Sequence, residues 1–164
     1  MAIVTRAPAA AGDPAGFSIG PRPVWFVTGG ATAGGTIAAG TRGGYVGGEL
    51  SLVRLRENQF LGLYSDAYYD FGVDGTYVTC GPELGLIRRS RALPIAVGID
   101  GGAALRRADE TSYGATARVF VALAGSFSIY ARYTRLDADR DPQVVQVGVT
   151  LKFPLSPPFG TNDH

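Results

Sequence analysis

The chain has 164 residues, a length that suits one domain with room for a closed sheet or a sandwich. Hydrophobic residues make up 46% of it and charged residues only 18%, below the ~25% that is usual for soluble domains. The formal net charge of +1 gives no reason to expect a nucleic-acid partner, and the single cysteine, Cys80, excludes an intramolecular disulfide.

The first segment, residues 1–23, is rich in Ala, Pro and Gly and has no apolar periodicity. We predict an extended or disordered N-terminal arm there. The arm contains no continuous apolar stretch of signal-peptide length, so export would require a signal peptide that is absent from this chain. The last residues, 154–164, have a similar composition and predict a flexible C-terminal tail.

Between these ends, over residues 24–153, runs that alternate at period two are separated by Gly, Asp and Arg clusters. Such runs with short links and no helical stripe predict an all-β fold, an eight-stranded antiparallel up-and-down barrel, because closure removes exposed edges. About ten residues is also the length that a tilted strand needs to cross a bilayer. The predicted strands are 24–34, 43–55, 60–71, 76–88, 93–105, 113–124, 127–136 and 143–153.

Alternate positions of these runs separate into an apolar phase and a phase of Gly, small polar and charged residues. Glycine weakens a strand, but a narrow barrel lumen leaves space for few large side chains. We therefore predict a transmembrane barrel with a polar lumen and an apolar exterior. Its acidic residues lie on early strands and its basic residues on late ones, so closure would pair them. The predicted lumen charge network consists of Glu49, Asp66, Glu83, Asp100, Arg118, Arg132 and Lys152.

Aromatic residues fall near both ends of the predicted strands. Two aromatic belts separated by aliphatic residues are typical of the interfacial girdles of a membrane barrel. The predicted girdle residues are Trp25, Phe60, Phe127 and Phe153 at one end, and Tyr69, Phe71, Tyr77 and Tyr133 at the other.

The last run, QVGVTLKF at 146–153, resembles the C-terminal β-signal by which bacterial outer-membrane barrels are recognised by their assembly machinery. Gln146 fills the polar position, Gly148 the glycine position, and Leu151 and Phe153 the hydrophobic and aromatic ones. The chain thus resembles the eight-stranded OmpA/OmpX-type barrels as a class. It departs from them in that the family usually ends at the aromatic residue, whereas more residues follow here.

Motifs of catalytic or metal-binding proteins are incomplete in this sequence. TGGATAGG at 28–35 is similar to a dehydrogenase cofactor turn, but Ala33 replaces its third glycine and no helical pattern follows. Asp137, Asp139 and Asp141 have calcium-loop spacing, but Pro142 follows where that loop needs Gly. The only histidine is His164, the last residue, which argues against histidine-dependent catalysis and metal binding in the barrel.

We therefore predict a non-enzymatic protein of the bacterial outer membrane, without cofactors, that has a structural, anchoring or envelope-interaction role and no wide pore. The expected partners are the lipid bilayer, lipopolysaccharide and the outer-membrane assembly machinery. A protein partner in the envelope is left open. Two alternatives remain at this point: a soluble barrel that binds an apolar small ligand, and a β-rich subunit of a larger assembly.

Overall fold

The alternating runs form eight antiparallel strands in a computed structural model, which describes residues 23–38, 40–88, 93–137 and 143–159. Each strand pairs with its neighbours in sequence, and β8 pairs with β1, so the sheet closes into a barrel. The predicted fold class is confirmed. The strands are β1 Val24–Ala38, β2 Thr41–Arg56, β3 Gln59–Asp70, β4 Gly75–Arg88, β5 Ile95–Arg107, β6 Thr111–Leu123, β7 Phe127–Leu136 and β8 Gln143–Pro154.

Strand pairing around the barrel is staggered. One row of paired residues that starts at Phe26 on β1 returns to the same strand at Thr36, ten residues further on (36 − 26 = 10). A stagger of this kind accompanies a strand tilt of roughly 35–45° to the barrel axis. The row runs through Phe26, Val53, Gly62, Glu83, Asp100, Arg118, Arg132, Gln146 and Thr36.

Side chains alternate strictly between the interior and the outer face. On β3 the pattern switches between exposed and buried at every residue from Gln59 to Asp70. Exposed apolar side chains cover the outside; Leu63 is 60% exposed and Val147 is 57% exposed. The buried set is dominated by polar, charged and tyrosine side chains. The barrel is therefore polar inside and apolar outside, the reverse of a soluble barrel.

The two ends of the barrel differ in what they carry. The end that carries the start of β1 and the end of β8 is called the termini end, and its turns include 57–58 and 124–126. The opposite end, called the distal end, has turns that include 71–74 and 108–110. Within the described residues, no helix is long and apolar enough to cross a bilayer.

Beyond Phe153 the chain stays paired with β1 instead of leaving the barrel. The Leu155 amide donates to the Val27 carbonyl at 2.8 Å, and Trp25 and Phe159 exchange backbone hydrogen bonds at 2.8 and 3.1 Å. Residues 154–159 thus cover the part of β1 that extends past its regular pairing with β8, which begins at Thr28. The predicted flexible tail is attached to the barrel over these residues. Residues 1–22 of the predicted arm over 1–23, residues 138–142 of the acidic loop and His164 lie outside the described residues.

Candidate functional site

The seven charged residues predicted for the lumen lie inside the barrel and close to one another. Arg118 on β6 donates from Nε to Asp100 at 2.6 Å and pairs through Nη1 with Glu49 on the opposite wall. Arg132 on β7 pairs with Asp66 on β3. These contacts connect residues that are 66 and 69 positions apart in sequence, so they exist only in the closed barrel.

Lys152 connects the remaining acidic residue to this network. Its Nζ pairs with Glu49, lies 3.8 Å from Glu83 and donates a hydrogen bond to the Ser51 hydroxyl at 3.2 Å. Lys152 is the most accessible member, with a side chain that is 17% exposed, whereas both arginines are almost fully buried. Buried charges of this kind are tolerated because each has an opposite charge within 4.0 Å.

Tyrosine rings form a layer next to the arginines. Tyr68 and Tyr77 are stacked with ring centroids 5.0 Å apart, and Tyr45 lies 5.4 Å from Tyr68. The Arg132 guanidinium lies 5.0 Å from the Tyr68 ring centre, and Arg118 lies 5.2 Å from that of Tyr130. Cation–π contacts therefore hold the guanidinium groups against aromatic faces as well as carboxylates.

A second polar group lies nearer the distal end and was not predicted as part of the network. Asp70 accepts hydrogen bonds from the Thr36 hydroxyl at 2.5 Å, from Gln146 Nε2 at 3.2 Å and from the Gly72 amide at 2.9 Å. Its inward position on β3 follows from the same alternation as Asp66, so parity was a sufficient signal. Asp70 falls within the predicted strand 60–71, but it is not among the residues predicted for the network.

Apolar layers lie beyond the polar network at both ends. At the termini end, Phe60 and Phe120 approach to 5.9 Å between ring centroids, and Phe26 is buried beside that end. At the distal end a cluster of small and aliphatic side chains is buried: Ala38, Val73, Ala104, Leu136 and Val144. The lumen of the described barrel is therefore occupied along its length by side chains.

The assignment to the aromatic girdles is wrong for two of the predicted residues, Phe60 and Tyr77. Phe60 is 8% exposed and Tyr77 is fully buried, so both point into the lumen. They stand at strand ends, but on the inward phase, and the inward glycines leave space for them. A Cβ on Gly98 would lie 2.7 Å from the Phe60 ring, for example. The other predicted girdle residues lie on the outer face or in a turn: Trp25, Phe127 and Phe153 at the termini end, and Tyr69, Phe71 and Tyr133 at the distal end.

The predicted assembly-signal residues occupy both faces of β8. Gln146 and Gly148 face the lumen, whereas Leu151 and Phe153 are exposed on the outer face. Their geometry neither requires nor opposes recognition by another protein, so the role stays a prediction. Among the described residues, no group of three or more potential metal ligands is gathered in one place.

The outer apolar belt, the closed sheet and the filled polar lumen together define a transmembrane β-barrel. This class assignment agrees with the solved structures that resemble the chain. A crystal structure of neisserial surface protein A is 11% identical, with a TM-score of 0.58, and the match covers 78% of this chain and 95% of that chain. A crystal structure of the outer membrane enzyme PagL is 14% identical, with a TM-score of 0.59, covering 78% and 99% of the two chains.

These identities are low enough that the likeness concerns the fold alone. At that level the resemblance to small eight-stranded barrels of the OmpA/OmpX type is confirmed. No protein-family model matches the sequence, and no curated protein matches it significantly. One of the two neighbours is described as an enzyme, so the shared fold does not decide between an enzymatic and a non-enzymatic role.

Proposed function

We propose that the protein is a non-enzymatic barrel of the bacterial outer membrane that anchors itself in the bilayer, supports the envelope and presents short polar turns. The occupied lumen is the observation that carries this proposal. The pairs Arg118–Glu49 and Arg132–Asp66 cross the lumen between opposite walls. An aromatic layer and an aliphatic layer lie on either side of them. Eight strands leave an interior that such side chains fill, which favours a structural barrel over a wide pore.

The soluble ligand-binding alternative is not supported by the structure. A barrel that binds an apolar ligand needs an apolar interior, whereas here Leu61, Val97 and Ile129 are exposed on the outside. The larger-assembly alternative would require protein to cover the same outer face. Lipid is the better match, because the apolar belt surrounds the barrel on all strands and the fold is that of outer-membrane barrels.

Conductance measurements test the absence of a wide pore. The purified barrel is inserted into planar bilayers and compared with a large porin as the positive control. We expect no long-lived open state from this protein. A stable conductance of porin size would contradict the proposal, because it would require the lumen side chains to leave the interior.

Cysteine labelling in intact cells tests the location and orientation. In a Cys80→Ser background, Asp109→Cys places a thiol in a distal turn and Asn58→Cys places one in a turn at the termini end. Both positions are exposed. We expect a membrane-impermeant maleimide to label the distal thiol in whole cells, and the other thiol only after the outer membrane is opened. Equal labelling of both, or of neither after lysis, would contradict the proposed outer-membrane barrel, in which the termini end faces the periplasm.

We also propose that Gln146, Gly148, Leu151 and Phe153 are read by the assembly machinery, and that lipopolysaccharide contacts the distal half of the outer face. Phe153→Ala is expected to lower the amount of folded protein in cells but not the refolding yield in detergent. Phe127→Ala is the matched control, since it removes another outer aromatic residue at the termini end. Equal effects of the two changes would assign Phe153 to the girdle alone.

A further inference from the structure

The outer face of the barrel has a groove across β1, β2 and β3. Its volume is about 670 Å³, and its floor and walls are mainly apolar. The floor is made of small residues because Ala31, Gly48 and Ala67 are neighbours in one row of the sheet. The walls are formed by larger side chains, which are Leu50 on β2, Phe153 near the end of β8 and Leu155 just after it. We call this feature the outer groove.

The segment after β8 contributes one wall of the outer groove. Leu155 packs against Gly29 so closely that a Cβ there would lie 2.7 Å from its side chain. The hydrogen bond from the Leu155 amide to Val27 fixes this position. The groove therefore depends on residues that follow Phe153, where outer-membrane barrels of this type usually end.

A positive charge lies on the same face, beyond the groove toward the termini end. Arg54 is opposite Trp25 in the β1–β2 ladder, and its guanidinium lies 5.9 Å from the tryptophan ring centre. Arg54 stands four positions after Leu50 on β2, about 13 Å along the strand. Arg54 Nε has no hydrogen-bond partner among the described residues. The face thus combines an apolar groove at membrane depth with a cationic group at the level of the interfacial tryptophan.

We propose that the outer groove binds one phospholipid molecule from the leaflet at the termini end, with an acyl chain in the groove and the phosphate at Arg54. This inference rests on the proposed membrane location. The bilayer supplies acyl chains at this depth, and the groove is continuous with the lipid-facing belt. The charge complementarity between phosphate and guanidinium favours lipid over a second copy of the barrel, because the outward-facing positions of the described strands carry no carboxylate that could pair with Arg54.

Native mass spectrometry of the full chain in detergent, with added phosphatidylglycerol, tests the site. The variant Ala31→Leu/Ala67→Leu fills the groove. Its matched control, Ala117→Leu/Ala131→Leu, adds the same side chains to exposed positions on β6 and β7. We expect one lipid retained by the parent and the control, and retention weakened by at least about tenfold in the filled variant. Arg54→Gln is expected to weaken retention and to reduce its sensitivity to salt.

The outcomes are distinguishable. Equal retention by all variants would overturn the site and leave the inserted barrel intact. A dimer in detergent that only the filled variant abolishes would also overturn it, and would assign the groove to self-association. Failure of the parent chain to fold in micelles at all would instead contradict the proposed membrane function. Heat-dependent gel mobility of each variant confirms that it is folded before its lipid retention is compared.

Discussion

Arg118 contacts more of the lumen than any other residue of the charge network. It is 3% exposed, pairs with Glu49 and Asp100, and lies over the rings of Tyr64, Phe120 and Tyr130. A buried ion pair adds little stability over a well-packed apolar substitute, but removal of one partner leaves the other charge uncompensated. The loss of stability on removing Arg118 is therefore set by the acidic residues that would be left without their partner.

We expect Arg118→Met to lower the free energy of unfolding by about 3–5 kcal/mol, because Glu49 and Asp100 lose their main partner inside the lumen. Urea unfolding in detergent micelles, followed by the emission of Trp25, measures the change. Arg135→Met is the control, since Arg135 is exposed on the outer face of β7. A loss below ~1 kcal/mol for Arg118→Met would show that the acids are protonated or reached by water.

Gly148 is an inward-facing glycine that leaves space in the lumen for an aromatic side chain. The Tyr45 side chain occupies the place where a Cβ on Gly148 would stand, and the Ala33 carbonyl oxygen would lie 2.7 Å from it. Tyr45 also donates a hydrogen bond to the Tyr130 hydroxyl at 2.6 Å. An inward glycine is needed here for packing against an aromatic ring, in addition to any role in assembly.

Gly148→Ala is expected to destabilise the barrel by about 1–3 kcal/mol through overpacking. Tyr45→Phe should recover part of this loss in the double variant, because it removes the atom nearest to the added methyl group. A double-mutant cycle by urea unfolding in micelles measures the coupling. Gly35→Ala is the control, because a Cβ there would approach Gly43 no closer than 3.8 Å. Strictly additive effects would contradict the proposed clash.

At the scale of the strands, the period-two pattern was sufficient to predict which faces are buried. Glu83 and Arg132 each stand at inward positions of their own runs, and no helical stripe competes with the period-two pattern. Position at a strand end was a poorer guide, which is why Phe60 and Tyr77 were assigned to the girdles. Packing inside the lumen depends on the stagger of neighbouring strands. Gly85 lies opposite Phe60 because of the register between β3 and β4. The alternation of apolar and polar residues along a strand does not determine that register.

Residues after Phe153 could not be placed from sequence for a related reason. Pro157 and Pro158 interrupt any alternation, so the segment has no strand pattern. Its position follows from the stagger, which leaves Trp25 and Val27 without a partner on β8. The tail supplies hydrogen bonds to this free edge. Unpaired edge groups near a bilayer are costly, so the tail is expected to stabilise the start of β1.

Truncation after Pro154 tests this expectation. It removes the backbone hydrogen bonds of Leu155 and Phe159 with β1, and the bond from the Val27 amide to the Ser156 hydroxyl. We expect faster amide exchange at Trp25 and Val27, a loss of about 1–3 kcal/mol in unfolding free energy, and an intact barrel. A chain that ends at Phe159 is the control and should resemble the full chain. Unchanged exchange at Trp25 after truncation would show that the pairing does not persist in solution.

At the scale of the whole molecule, the distribution of apolar surface decides in which solvent the barrel is stable. Its inner face carries ion pairs, hydrogen bonds and stacked rings, whereas aliphatic side chains cover the outer face on every strand. Continuous exposed apolar surface of this extent is unfavourable in water. The folded state therefore depends on an amphiphile that covers the outer belt.

We accordingly expect urea-unfolded chain to regain β-sheet circular dichroism and a blue-shifted Trp25 emission when it is diluted into micelles, and neither in plain buffer. Trp25 is the only tryptophan and lies on the outer face, so a detergent with a brominated chain should quench its emission. The same detergent without bromine is the control. A soluble, β-folded monomer in buffer would mean that water covers Leu63 and Val147 without penalty. That result would contradict the lipid-facing assignment of the outer belt, because the assignment requires an amphiphile to keep this apolar surface away from water.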